Sequence, residues 1–129
     1  MRKVISQFGE GPLQQRLNVG DLDFVADLEL SGGGANTGPT PSEYLAAALA
    51  SCTSMTLKMY SERKALNLEN AIVVVDVARV DGVEKFTRDI QLIGTLTAEQ
   101  SERLLDIANK CPLYKVLSGE IQIKTQLVN

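Results

Sequence analysis

The chain has 129 residues, a formal charge of -3, and 44% hydrophobic against 22% charged residues. That length suits a single domain over residues 1–129, without internal repeats and able to bury a core of its own. The acidic balance, with a pI of about 4.9 and no basic stripe, argues against nucleic acid as a partner. The sequence holds no His, which excludes Ser-His and Cys-His catalysis and every His-containing zinc site. Two cysteines cannot close a four-cysteine zinc site, so no metal or other cofactor is expected and a redox thiol pair is the chemistry left open.

Residues 2–30 read as short strands. Lys3 to Phe8 and Leu13 to Val19 alternate loosely around a turn at Gly9, Gly11 and Pro12, and Asp21 to Leu28 predicts a third strand. Residues 31–39, SGGGANTGP, read as a flexible loop. A helix then opens with Thr40 as N-cap, Pro41 at the first helical position and Glu43 closing a capping box, and it is predicted to run to about Leu66. Its first half is apolar and small on nearly every side (Ala46, Ala47, Ala48, Ala50, Ser51), the pattern of a buried central helix. Ala71 to Val80 and Phe86 to Leu96 predict two strands joined through Asp81-Gly82. Thr97 and Gln100 cap a second helix, whose apolar face is Leu104, Leu105 and Ala108. Cys111-Pro112 ends it and starts a helical turn reaching Gly119, and Glu120 to Val128, EIQIKTQLV, alternates as a final strand would. The expectation is an α+β domain of order βββ-α-ββ-α-β.

Met1 to Gln7 has no charged segment leading into a long apolar run, so no secretory signal and a cytoplasmic location are expected. The longest apolar stretch, Tyr44 to Leu57, is shorter than the roughly 20 residues that span a bilayer, and no membrane partner is expected. In the cytoplasm structural disulfides are rare and paired cysteines more often do redox work.

The glycine run before the helix has part of the pattern of a phosphate loop. Gly33 and Gly38 have the spacing and Thr40 fits the hydroxyl position, but Pro39 stands where a lysine is needed. The dinucleotide pattern fails too, because Thr37 replaces the third glycine after Gly32 and Gly34. Cys52, in mid-helix, reads on its own as a small core residue. A reactive Cys52 needs a cation from elsewhere, and Arg16, Arg79 and Arg88 lie on predicted strands. Cys111 precedes Pro112 at a helix start, where a thiol is made more acidic, although it also serves there as a plain cap. Glu43 lies nine residues before Cys52, about 13 Å along the helix and about 180° around it. If the two share a site, Glu43 comes from a partner chain.

Two segments resemble a known family. GPTPSEYLAAALASCTSMTL (Gly38 to Leu57) is similar to the central-helix motif of the OsmC/Ohr proteins, and CPLYKVLSGEIQIKT (Cys111 to Thr125) is similar to their second-cysteine motif. The cysteine spacing, 111 − 52 = 59, and the element order agree over nearly the whole chain. The resemblance implies an intertwined homodimer with the long helices packed between sheets of both chains. It implies a thiol-dependent peroxidase acting on organic hydroperoxides or hydrogen peroxide. Cys52 would attack, Cys111 would resolve, Arg16 and Glu43 would assist, and a dithiol of lipoyl type or a small thiol would reduce the disulfide. Local electrostatics favours Cys111 as the acidic thiol; the resemblance assigns attack to Cys52, where an arginine from across the fold would outweigh a single turn's dipole. In the family's peroxidases the glutamate directly follows the proline, whereas here Ser42 intervenes. That arrangement resembles the broad OsmC-like branch, whose members often have no assigned activity. The alternatives are therefore a non-enzymatic module binding an apolar small molecule in the dimer cleft, or a redox sensor.

Overall fold

The computed structural model describes residues 1–128. It divides into two compact units, Met1–Leu45 and a second that begins at Ala46. In the first, β1 (Val4–Phe8), β2 (Gln15–Val19) and β3 (Leu22–Ala26) form an antiparallel sheet in the order β1-β2-β3. The register sets Arg16 opposite Gln7 on one side and Val25 on the other.

The glycine-rich segment after β3, which composition reads as a loop, is tied to Asp27 by hydrogen bonds. The buried carboxylate of Asp27 accepts from the amides of Leu28 (2.8 Å), Ala35 (3.3 Å) and Thr37 (3.0 Å), and from the Thr37 hydroxyl. A Cβ on Gly34 would stand 2.1 Å from the Leu28 carbonyl oxygen, so the close approach of the two backbones requires glycine there. The bond from the Thr37 hydroxyl is the main cause that holds the Asp27 carboxyl below the ordinary 3.8; burial opposes it, and the amides of Thr37, Leu28 and Ala35 add to the lowering. A lowered carboxyl contributes stability in full above its unfolded value, and that stability is lost as pH falls through the lower folded value. Asp27→Asn is therefore expected to flatten the acid limb of the stability curve below about pH 4, and to lower stability at neutral pH, as read from urea midpoints.

The long helix α1 (Pro41–Arg63) begins as its residues predict. The Thr40 amide donates to the Glu43 carboxylate (2.8 Å) and the Glu43 amide to the Thr40 hydroxyl (3.2 Å). It stops three residues before the expected Leu66. The Leu66 amide returns to the Ser61 carbonyl (2.9 Å) and the Ala65 amide to that of Glu62 (3.3 Å), with Ala65 left-handed at φ 53°. That is the bonding of a Schellman stop with alanine in the glycine place. Ala65→Gly is expected to raise stability by about 0.5–1 kcal/mol, because it relieves the left-handed strain at some cost in chain entropy. Denaturant unfolding would measure it; a loss of stability would count against the strain.

Within the chain α1 buries one stripe spaced every four residues, Leu49, Thr53, Leu57 and Ser61. Met55 and Met59 on another face are exposed. In the second unit β4 (Leu68–Val80) and β5 (Val83–Gly94) form a long hairpin. β4 starts three residues earlier than the sequence suggested, with Leu68 paired to Gly94, and β5 starts three residues earlier because the Asp81-Gly82 turn, with φ of 51° and 78°, lets the ladder close directly at Val80 and Val83. Thr97 and Gln100 form the expected reciprocal capping box at the head of α2 (Ala98–Ala108). The core packs Leu57 of α1 against Leu104, Ile107 and Ala108 of α2, with Ile90 and Leu92 of β5 against them. Leu105, expected on the apolar face, is instead exposed, and Ile107 takes the inward position. Helix α3 (Pro112–Ser118) follows.

The final strand expected over Glu120–Val128 is not formed, and this corrects the last element of the predicted order. Residues 120–128 carry no regular secondary structure, and Ile121, Ile123, Leu127 and Val128 are exposed. Alternation specifies a strand with one apolar face, but a strand also needs a neighbouring edge for its backbone groups. Among the described residues this segment has none.

Candidate functional site

Both cysteines are free thiols, Cys52 half-buried on α1 and Cys111 fully buried between α2 and α3. Cys111 is the N-cap of α3, with Pro112 at the first helical position. Its Sγ accepts from the Tyr114 amide at 3.3 Å. Because proline has no N–H and a preset φ, the chain turns sharply here, and the sulfur takes one of the amides that a helix start leaves unpaired.

The residue against Cys111 on α1 is Thr53, the successor of Cys52. Its Oγ1 lies 3.8 Å from Cys111 Sγ and donates to the Leu49 carbonyl at 2.7 Å. Arg88, from β5, completes the group. Its Nη1 donates to Thr53 Oγ1 (3.1 Å) and to the Ala108 carbonyl (3.1 Å), and its Nη2 donates to Asn109 Oδ1 (2.6 Å). The guanidinium also lies over the Tyr114 ring, 5.1 Å from the centroid. One side chain thus ties β5 to α1, to the end of α2 and to the first turn of α3. Among the described residues the one salt bridge is Arg79–Glu84 at 2.6 Å, so no carboxylate neutralises Arg88. A cavity of about 420 Å³ adjoins it, lined by Leu49, Phe86, Tyr114 and Leu117 with Glu84, Lys85, Arg88 and Ser118.

Of the three arginines considered from the sequence as cation sources, Arg88 reaches the surroundings of a cysteine. Arg79 is engaged by Glu84 and by the Gly82 carbonyl. Arg16 is exposed on β2, and Glu43 is exposed and serves the start of α1; both belong to the first unit, and the cysteines to the second. Helix α1 runs unbroken from Pro41 to Arg63. Thr53, Asn109 and Tyr114 were not anticipated. The available signal was Thr53 itself, a polar residue four places from both Leu49 and Leu57 on one helical stripe.

A family profile described as OsmC-like protein matches residues 32–126. The chain belongs to the OsmC family. No curated protein matches it. Among solved structures, this OsmC-family chain is similar to an OsmC-like protein of Mycoplasma pneumoniae, with 15% identity over 92% of this chain and 88% of that one and a TM-score of 0.79. It is also similar to the organic hydroperoxide resistance protein OhrB of Bacillus subtilis, with 22% identity over 96% and 95% of the two chains and a TM-score of 0.64. A third, described as a putative osmotic stress induced and detoxification response protein of Psychrobacter arcticus, has 16% identity over 90% and 88% and a TM-score of 0.76. These likenesses establish the α+β OsmC fold. Among the described residues no helix is long and apolar enough to cross a membrane.

Proposed function

We propose that this OsmC-family chain is a thiol-dependent peroxidase, in which Cys52 attacks a hydroperoxide and Cys111 resolves the product. The observation that carries the reading is the pairing of two free thiols, one half-buried and one fully buried, with an uncompensated guanidinium beside the residue next to Cys52. Cys52, as thiolate, displaces alcohol from the peroxide: an S–O bond forms, the O–O bond breaks, and a proton joins the leaving alkoxide. Cys111 then displaces water from the sulfenic acid to close a disulfide, which a lipoyl-type or small dithiol reduces. Similarity to organic hydroperoxide resistance proteins of Bacillus subtilis and Legionella pneumophila supports a hydroperoxide as substrate.

The working form in this proposal is a homodimer in cytoplasm, each chain acting as one OsmC-like domain. The exposed Met55 and Met59 of α1 and the exposed alternating tail from Ile121 to Val128 support a second copy. Glu43 then assists from the partner chain, and Arg16 assists by stabilising negative charge on sulfur and peroxide oxygen. Anaerobic consumption of cumene hydroperoxide by the reduced protein, with thiols counted before and after, tests the reading. Loss of two thiols per chain for each peroxide is expected; unchanged thiols with unconsumed peroxide would reject it. The cavity beside Arg88, with Leu49, Phe86 and Leu117 in its wall, favours the second reading, a module that binds an apolar small molecule. Thiols inert to a thiol reagent near neutral pH would point there.

A further inference from the structure

The polar group around Cys111 has a hydrogen-bond count that assigns roles to its members. A hydroxyl has one proton and two lone pairs. The Thr53 proton goes to the Leu49 carbonyl, and Arg88 Nη1 donates to one lone pair. The lone pair left over is free for Cys111, whose sulfur lies 3.8 Å away and whose S–H can donate to it. Rotation of the same hydroxyl turns its proton onto the sulfur instead. Little is lost by that rotation, because the Leu49 carbonyl keeps the helical amide of Thr53, and Arg88 keeps its bond to the oxygen. Arg88 meanwhile brings a positive charge that no carboxylate cancels among the described residues.

We propose that Thr53 and Arg88 are positioning residues for the resolving step, a two-bond relay that stabilises negative charge on the Cys111 sulfur as it attacks the sulfenic acid of Cys52. The inference rests on the peroxidase reading above. In the step an S–S bond forms and the S–O bond of Cys52 breaks. The Cys111 proton joins the departing oxygen and water leaves; the Cys111 sulfur is oxidised and the Cys52 sulfur reduced. The relay serves both protonation states of Cys111 with one small rotation, so α3 does not have to unwind before charge develops. Hydrogen bonds to charged groups are the strong ones, and loss of this one is expected to slow the step roughly tenfold.

Two measurements on the full chain test the relay. In a Cys52→Ser chain, modification of Cys111 by methyl methanethiosulfonate is followed by mass spectrometry. In the unaltered chain, one equivalent of cumene hydroperoxide is added and the Cys52 sulfenic acid is trapped with dimedone at increasing delays. Thr53→Val is expected to slow the first roughly tenfold and lengthen the sulfenic-acid lifetime by a similar factor, and Thr53→Ser, which keeps the hydroxyl, restores both. If Thr53→Val does not fold, Arg88→Gln against the charge-retaining Arg88→Lys makes the same comparison. An unchanged modification rate, or an unchanged lifetime where sulfenic acid does form, would overturn the relay. If the unaltered chain forms no sulfenic acid at all, the peroxidase reading itself fails and the resolving step falls with it.

Discussion

Replacing Cys52 by serine is expected to reduce consumption of an organic hydroperoxide by roughly 10³-fold or more, to the level of a protein without thiols. A serine hydroxyl is a far weaker nucleophile than a thiolate, and Cys111, fully buried under Thr53 and the first turn of α3, is reached only slowly by reagents from solvent and does not replace it. Cys111→Ser is expected to behave differently. One equivalent of peroxide should still be consumed, leaving a sulfenic acid at Cys52 that dimedone traps, while turnover with a dithiol falls. Single-turnover assays on the two variants separate the roles. Rapid peroxide loss in Cys52→Ser, or sulfenic acid found at Cys111 in the unaltered chain, would reverse the assignment in favour of the thiol that local electrostatics picks out.

Leu104→Ala is expected to destabilise the fold by about 2–5 kcal/mol, the usual range for a leucine removed from a packed core. Leu104 is fully buried and meets Leu57 of α1 in the cluster that includes Ile107 and Ala108, with Ile90 and Leu92 of β5 packed on it. Domains of this size have only about 5–15 kcal/mol to lose, so the change is a large fraction of the total. Urea unfolding monitored by circular dichroism gives the number. The same substitution also reaches the site, because α2 carries at its end the Ala108 carbonyl and Asn109 side chain that anchor Arg88. Faster amide exchange at the start of α3 is expected to accompany the lost stability. A loss below about 1 kcal/mol would mean that α2 is not seated on α1 through this residue.

Local chemistry was legible in the sequence wherever the deciding atoms are close along the chain. The capping boxes at Thr40/Glu43 and Thr97/Gln100 were readable because both partners lie within one turn, and the tight hairpin at Asp81-Gly82 because that dipeptide accepts positive φ. The Cys-Pro start of α3 belongs with them, and the two cysteine-bearing segments were enough to point to the family that residues 32–126 match. Three things lay beyond the sequence. The ordered path of the glycine loop depends on Asp27, which composition assigns to a strand end and only folding brings beneath the amides of Ala35 and Thr37. The tail from Glu120 to Val128 has a strand's pattern, but a pattern cannot supply the neighbouring edge that a strand needs. The site itself joins residues 53, 88, 109 and 111 from four elements; sequence alone offered Arg88 as one of three strand arginines, with the family resemblance favouring Arg16, and Thr53 not at all. Side-chain periodicity tells which face is buried. Which arginine crosses to which hydroxyl is decided by the pairing of β5 with β4 and the packing of α1 against α2, contacts between residues tens of positions apart whose geometry no local pattern encodes.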